Sequence, residues 1–239
     1  MSSPRILCIA AAWNEGERIR KVVQSVPRDV VETMMVIDDG STDDTAAHAE
    51  AAGALVLRQP QNRGVGAALR RGFDYGLEHG YDIVAAVHGG GKTPGEQLPA
   101  LLDPIIRGEA DFTQGSRNIP GGSASGMPLG RRLGTRGYTM LFSLLCRHWV
   151  SDASCSGIRA VSTRLLRDPR MKLHQDWLDR YELEPYMLFQ ALHLGYRVRE
   201  VPVLVTYPQD GRAYTKMRAV VDWWRIFRPA VFLALHVRD

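Results

Sequence analysis

Three stretches of the chain carry residue types that do chemistry. IVAAVHGGGKT, Ile83 to Thr93, reads as a buried strand running into a glycine-rich loop with one histidine, His88, and one lysine, Lys92. Loop amides at Gly89, Gly90 and Gly91 beside an ammonium make an anion-binding turn. VIDDGSTDDT, Val36 to Thr45, ends a second apolar run in adjacent carboxylates, Asp38 and Asp39. Two carboxylates at a buried strand end need a reason, and acceptors there suit a ribose or a base edge. Asp43 and Asp44 read better as a helix cap. The middle of the chain is crowded with Arg117, Arg131, Arg132, Arg136, Arg147, Arg159 and Arg164, while acids gather before Glu50 and from Asp176 to Glu184. Guanidiniums converging at a loop suit a phosphate dianion. A solvated basic face is the plainer alternative.

These residues need a scaffold, and the pattern supplies one. Apolar runs at 5–12, 33–37, 55–57 and 81–87 predict buried strands. Between them, Ile19, Val22, Val23 and Val26 recur at helical spacing, with Asn14 as the N-cap, Glu15 and Glu17 in the first turn, and Pro27 as the stop. Ser41 or Thr42 caps a second helix that Gly53 ends, and further helices are expected over 62–80 and 94–108. Strand–helix alternation with short connections predicts an α/β fold with a mostly parallel sheet covered by helices on both faces, and a C-terminal helical tail. Such sheets bind ligands at the carboxyl ends of their strands. The polar clusters at Ala12 to Glu15, Asp38 to Asp44, His88 to Thr93 and Gly115 to Asn118 all fall there.

The second half reads as a helix over 129–149, a return to the sheet over 155–162, a helix over 183–194 and a strand over 197–207 with Pro202 at an edge or bulge. PGGSASGMP, Pro120 to Pro128, reads as a mobile loop. The last region, 215–237, reads as helical and broken at Pro229. One domain over 1–212 is expected, with a ligand-binding half at 1–117, an acceptor half at 118–212 and the tail at 213–239.

With 239 residues and 45% apolar content the chain can build a substantial core, and a net charge of +4 from 30 basic and 26 acidic residues is no nucleic-acid footprint. Three cysteines without CxxC spacing fit a reducing, cytoplasmic setting and argue against a zinc site or a disulfide framework. The tail, with Trp223, Trp224, Phe227 and Phe232 among arginines, is too interrupted to span a bilayer. It suits either core packing or peripheral contact at the cytoplasmic membrane face. No G-x-G-x-x-G opens the first helix, which disfavours a dehydrogenase.

Taken with AAAWNEGERI, Ala10 to Ile19, the acidic strand end resembles glycosyltransferase family 2. The resemblance continues through QNRGVGAALRRGFDYG, Gln61 to Gly76, and QGSRN, Gln114 to Asn118. PLGRRLGTRGYTML, SCSGIRAVS and GYRVREVPV resemble its dolichol-phosphate mannose synthase branch. The resemblance implies a Rossmann-like GT-A fold and a nucleotide-sugar donor, a GDP- or UDP-sugar. It also implies a hexose transferred to a phosphate-bearing acceptor, a polyprenyl phosphate in that branch. Ala12, Trp13, Asn14, Glu15, Asp38, Asp39, Arg63, Gly89 and Gly90 would line the nucleotide pocket. Arg117, Arg131 and Thr135, with Arg132 as the register alternative, would hold the acceptor phosphate. Arg159 would either help them or pair with Asp152. Lys216 would close over the donor diphosphate or be a solvated lysine.

The chain departs from the family at the loop it opens on. Where relatives place a metal-binding acid, this sequence has Gly90, and two residues on it has Lys92. A glycine offers no oxygen ligand to a hard cation. Magnesium or manganese would be held only if His88 and the donor diphosphate sufficed. The expectation is that the Lys92 ammonium replaces the metal, with His88 and Glu184 as candidate bases if the acceptor is a hydroxyl. A relative acting on a soluble metabolite and a silent nucleotide-sugar-binding subunit are the alternatives.

Overall fold

A computed structural model of the chain describes residues 3–154, 157–207, 217–218 and 221–237. The first half alternates β1 (Ile6–Ala12), α1 (Arg18–Ser25), β2 (Thr33–Asp38), α2 (Thr45–Ala51), β3 (Leu55–Arg58), α3 (Val65–Glu78), β4 (Ile83–His88) and α4 (Leu98–Ile106). The second adds β5 (Phe112–Ser116), β6 (Ser123–Ser125), α5 (Leu129–Cys146), β7 (Arg159–Ser162), α6 (Thr163–Leu166), α7 (Leu183–His193), β8 (Val198–Pro202), β9 (Leu204–Thr206) and α8 (Val221–Ala234).

Seven strands form one sheet in the order β3-β2-β1-β4-β7-β5-β8, parallel except at β7, which runs antiparallel to both β4 and β5. β1 is central and apolar throughout, so its period-2 alternation feeds two cores. Leu7 and Ile9 pack with Phe73 of α3, Tyr138 and Phe142 of α5 and Leu188 of α7. Ile6, Cys8 and Ala10 pack on the other face with Val22 of α1 and Leu101 of α4. The expected mostly parallel, doubly covered sheet is therefore the one observed.

Register sets the working rim. Ala12 lies beside Asp38 and Ala11 beside His88, so the carboxyl ends of β2, β1 and β4 deliver their polar residues side by side.

Several local expectations change. Asn14 does not cap α1; it takes a positive φ of 51°, and Glu17 holds the N-cap position. The Asn14 Oδ1 instead accepts from the Thr42 amide at 2.8 Å, tying the β1 and β2 loops together. Neither Ser41 nor Thr42 caps α2, which starts at Thr45; Asp43 accepts from the Thr45 amide at 3.1 Å. The PGGSASGMP segment is not all loop, because β6 pairs with β9 there. The 197–207 strand splits at Val203, with Pro202 closing the edge strand β8. The terminal helix passes unbroken through a buried Pro229. Packing outweighs the lost amide bond: Phe227 meets the Tyr138 ring at a centroid distance of 4.7 Å, and Arg228 reaches buried Glu182 at 2.5 Å.

Candidate active site

The rim of β2, β1 and β4 opens into a cavity of about 520 Å³, walled on its far side by α5, α7 and α8. Ala12, Trp13, Glu15, Asp39, His88, Gly90, Lys92, Arg117, Arg131, Thr135 and Glu184 all line it, so most of the residues singled out in the sequence meet in one place.

On the β2 side, Asp39 works inward. Its Oδ1 accepts from the Arg63 amide and from Gln59 Nε2, both at 2.9 Å, and its Oδ2 accepts from the Gly64 amide at 2.7 Å. It thereby shapes the turn into α3 while one edge faces the cavity. Burial pushes its carboxyl above the usual range, against the pull of the Arg63 and Gly64 amides and the Arg180 guanidinium. Asp38, 5% exposed, does not line the cavity and accepts from the Ser41 amide at 3.0 Å. Asn14 is likewise spent on the loop staple. The Arg63 side chain turns away to Asp179 at 3.2 Å.

At the glycine loop, His88 Nδ1 accepts from the Gly90 amide at 2.9 Å, which requires the tautomer protonated on Nε2. The Lys92 carbonyl accepts from the Thr206 amide of β9 at 3.1 Å, pinning the loop to the second sheet. Burial lowers the Lys92 ammonium from 10.5 to about 8, helped by the Arg131, Arg117 and Arg18 cations and opposed by Glu15. Gly89 stays behind the wall.

The metal that the resemblance implies finds a poor site here. Gly90 has no donor atom, and a Cβ added there would already lie 3.0 Å from His88 Cε1 and 3.1 Å from His88 Nδ1. The His88 Nδ1 lone pair is used by the Gly90 amide. Among the described residues no three His, Cys, Asp or Glu side chains gather as a metal would need. This donor set does not fit a divalent cation.

The acceptor side is built around Arg117. Asp152, fully buried, grips it bidentately through Nε and Nη2, both at 2.7 Å. Ser154 and Tyr207 take further hydrogen bonds at 2.5 and 2.8 Å. Glu200, in turn, accepts from the Ser151 and Asp152 amides at 2.7 and 2.9 Å. The Asp152 ion pair therefore belongs to Arg117 and not to Arg159, which pairs with Glu184 at 2.6 Å and does not reach the cavity wall. Arg131 sits over the Tyr207 ring, 5.6 Å from its centroid. Helical phase decides between the two neighbouring arginines: Arg131 faces the cavity with Thr135, while Arg132 points to solvent. Lys216 lies outside the described residues.

Tyr207, Arg18 and Arg180, and Asp222, Trp223, Arg225 and Ile226 of α8, also line the cavity and escape a sequence reading. No spacing marks them; α8 becomes a wall only because Trp223 packs on Gly134 of α5 and Arg228 is tied to Glu182. Among the described residues, seven Arg and Lys side chains line the cavity against four Asp and Glu. The arrangement is suited to a large anionic ligand with a planar or apolar part.

The comparisons agree with this chemistry. The model of the family described as glycosyl transferase family 2 matches residues 8–166. The undecaprenyl-phosphate mannosyltransferase of Micrococcus luteus is 30% identical over 87% of this chain and 86% of its own. The polyprenol monophosphomannose synthase of Mycolicibacterium smegmatis is 29% identical over 87% and 79%. Among solved structures, glucosyl-3-phosphoglycerate synthase from Mycobacterium tuberculosis, in complex with Mn2+, UDP and glucosyl-3-phosphoglycerate, superposes with a TM-score of 0.71. It is 22% identical and covers 99% of this chain and 81% of that one. That likeness is one of fold, and the fold is the expected GT-A architecture. The chain belongs to glycosyl transferase family 2 and is a glycosyltransferase.

Proposed function

We propose that the protein is an inverting transferase that moves a hexose from a GDP- or UDP-sugar to a phosphate-bearing acceptor, a polyprenyl phosphate, without needing a metal. One observation carries this reading: Lys92, Arg131 and Arg117 line one cavity together, and burial first and then the two arginine cations lower the Lys92 ammonium. Cations crowded in this way are relieved by phosphate on two sides, the donor diphosphate and the acceptor.

In the reaction an acceptor phosphate oxygen attacks the anomeric carbon as the bond from that carbon to the donor diphosphate breaks. The nucleoside diphosphate leaves with the electron pair, and the sugar inverts. Lys92 neutralises the leaving group. Arg131 and Thr135 orient the acceptor phosphate, and Arg117, held by Asp152, fixes that corner. An ionised phosphate needs no strong base. This accords with a Glu184 carboxylate committed to Arg159. Trp13 and Asp39 flank the nucleotide. The names of the two lipid-phosphate relatives support this acceptor class.

The test is transfer from a panel of nucleotide sugars in excess EDTA, offered polyprenyl phosphate and, separately, phosphoglycerate. Transfer to the lipid phosphate in EDTA is expected. Activity that EDTA abolishes and magnesium restores removes the metal-free mechanism. Transfer only to phosphoglycerate moves the protein to a soluble pathway. Nucleotide binding without any transfer makes it a silent subunit.

A further inference from the structure

Helix α5 has two unlike faces. Tyr138, Phe142 and Cys146 are buried in the core, and Arg131 and Thr135 look into the cavity. Opposite them Leu129, Leu133, Met140 and Leu144 are 69%, 61%, 66% and 74% exposed. At ~100° per residue these four fall within an arc of about 60°, a stripe roughly 24 Å long. A Cβ on Gly130 or Gly137 would meet nothing within 4 Å, so open space surrounds the stripe. Trp149, just past the helix, is 79% exposed. A contiguous apolar strip of this kind marks an interaction surface.

The charge around the strip names the partner. No acidic residue occurs between Asp111 and Asp152. Exposed Arg132 and Arg136 border the strip, and exposed Arg147 and His148 follow its end. A second copy of the chain is a poor occupant. A two-fold interface is isologous, so it would bring this basic face against a copy of itself, with no carboxylate from this stretch on either side. An anionic bilayer matches both properties: leucines and tryptophan enter the acyl boundary while arginines meet lipid phosphates. No described helix is long and apolar enough to cross a membrane, so contact is made by a face.

We propose that the outward face of α5 docks the protein, lying flat, on the surface of an anionic-lipid bilayer. The docking face stands on the surface alone, and it deepens the polyprenyl-phosphate reading by placing Arg131 and Thr135 about one helix diameter, ~10 Å, from the lipid. The sequence left the aromatic tail open between core packing and this contact. In the fold Trp223 and Phe227 pack against the core, while Trp224 is 53% exposed.

Flotation of the full chain with vesicles of phosphatidylcholine plus phosphatidylglycerol, against phosphatidylcholine alone, tests the docking face. No donor or acceptor is present, so the outcome is separable from the proposed activity. The chain is expected to float with the anionic vesicles and to be released by salt. Leu133→Ser with Leu144→Ser should weaken binding roughly thirtyfold, on half-immersion of two leucines. Arg132→Gln with Arg136→Gln should weaken it by a similar factor and remove the preference for phosphatidylglycerol. Thermal melts that match the parent chain confirm that both pairs fold. Failure of the parent chain to float overturns the proposal, as does equal flotation of both folded variants. A parent chain that sediments as a dimer and becomes monomeric in the leucine variant assigns the face to self-association instead.

Discussion

Replacing Lys92 by methionine removes the ammonium while keeping most of the side chain's length. In the free protein, burial and then the Arg131, Arg117 and Arg18 cations lower that ammonium from 10.5 to about 8. At ~1.4 kcal/mol per pKa unit this environment disfavours the charge by about 3 kcal/mol. A bound diphosphate reverses the sign of the field, so the ammonium and the leaving group stabilise each other by a similar order. Loss of such a preorganised charge costs about 10²–10³ in kcat. The ratio kcat/KM reports the free enzyme, so it should fall as pH rises through about 8. Lys92→Arg stays charged throughout and should lose that limb. Stability moves the other way. The unfolded lysine keeps its proton to 10.5 and the folded one releases it near 8, so the unfolded state binds more protons in between and stability rises with pH across that window. Below it the burial cost is present in full, and Lys92→Met should melt higher than the parent chain at neutral pH. The assay is nucleoside diphosphate release over a pH series in excess EDTA, with a thermal melt at each point. An alkaline limb near pH 8 that persists in Lys92→Arg would refute the reasoning. So would a Lys92→Met rate within about threefold of the parent, less than ~1 kcal/mol of barrier.

Asp152→Ala leaves the Arg117 guanidinium buried without its carboxylate, and should destabilise the fold by about 3–5 kcal/mol, read as a drop of roughly 10 °C or more in Tm. Tyr207→Phe removes the hydroxyl that Arg117 donates to but keeps the ring beneath Arg131. Its acceptor KM should rise about tenfold or more while donor KM holds, and Tm should fall by roughly 3–6 °C, since one hydrogen bond to a charged group is worth ~1.5 kcal/mol or somewhat more. Gly66→Ala would set a methyl on the Leu178 carbonyl oxygen and 2.7 Å from that of Arg180. It should cost about 1–3 kcal/mol in a chemical denaturation curve by pushing α3 off the 178–180 segment.

The strands and their carboxyl-end clusters were legible in the sequence, because a strand buried on both faces must be a nearly unbroken apolar run and a polar residue at its end must lie on the rim. The glycine loop, with Gly90 offering no side-chain donor and Lys92 an ammonium, was equally plain, since both are statements about residue type. Tertiary structure decided who pairs with whom. Asp152 could have served Arg159 or Arg117; only the antiparallel insertion of β7 between β4 and β5 puts Arg159 beside Glu184 and leaves Asp152 to Arg117. Arg131 and Arg132 are chemically alike, and the phase of α5 alone turns one to the cavity and the other to solvent. Tyr207 and α8 reach the site through contacts distant in sequence, which no local pattern encodes. Periodicity and composition fix what a segment can bury. Which charges meet depends on strand order and helix rotation, and these are set by the packing of the whole core.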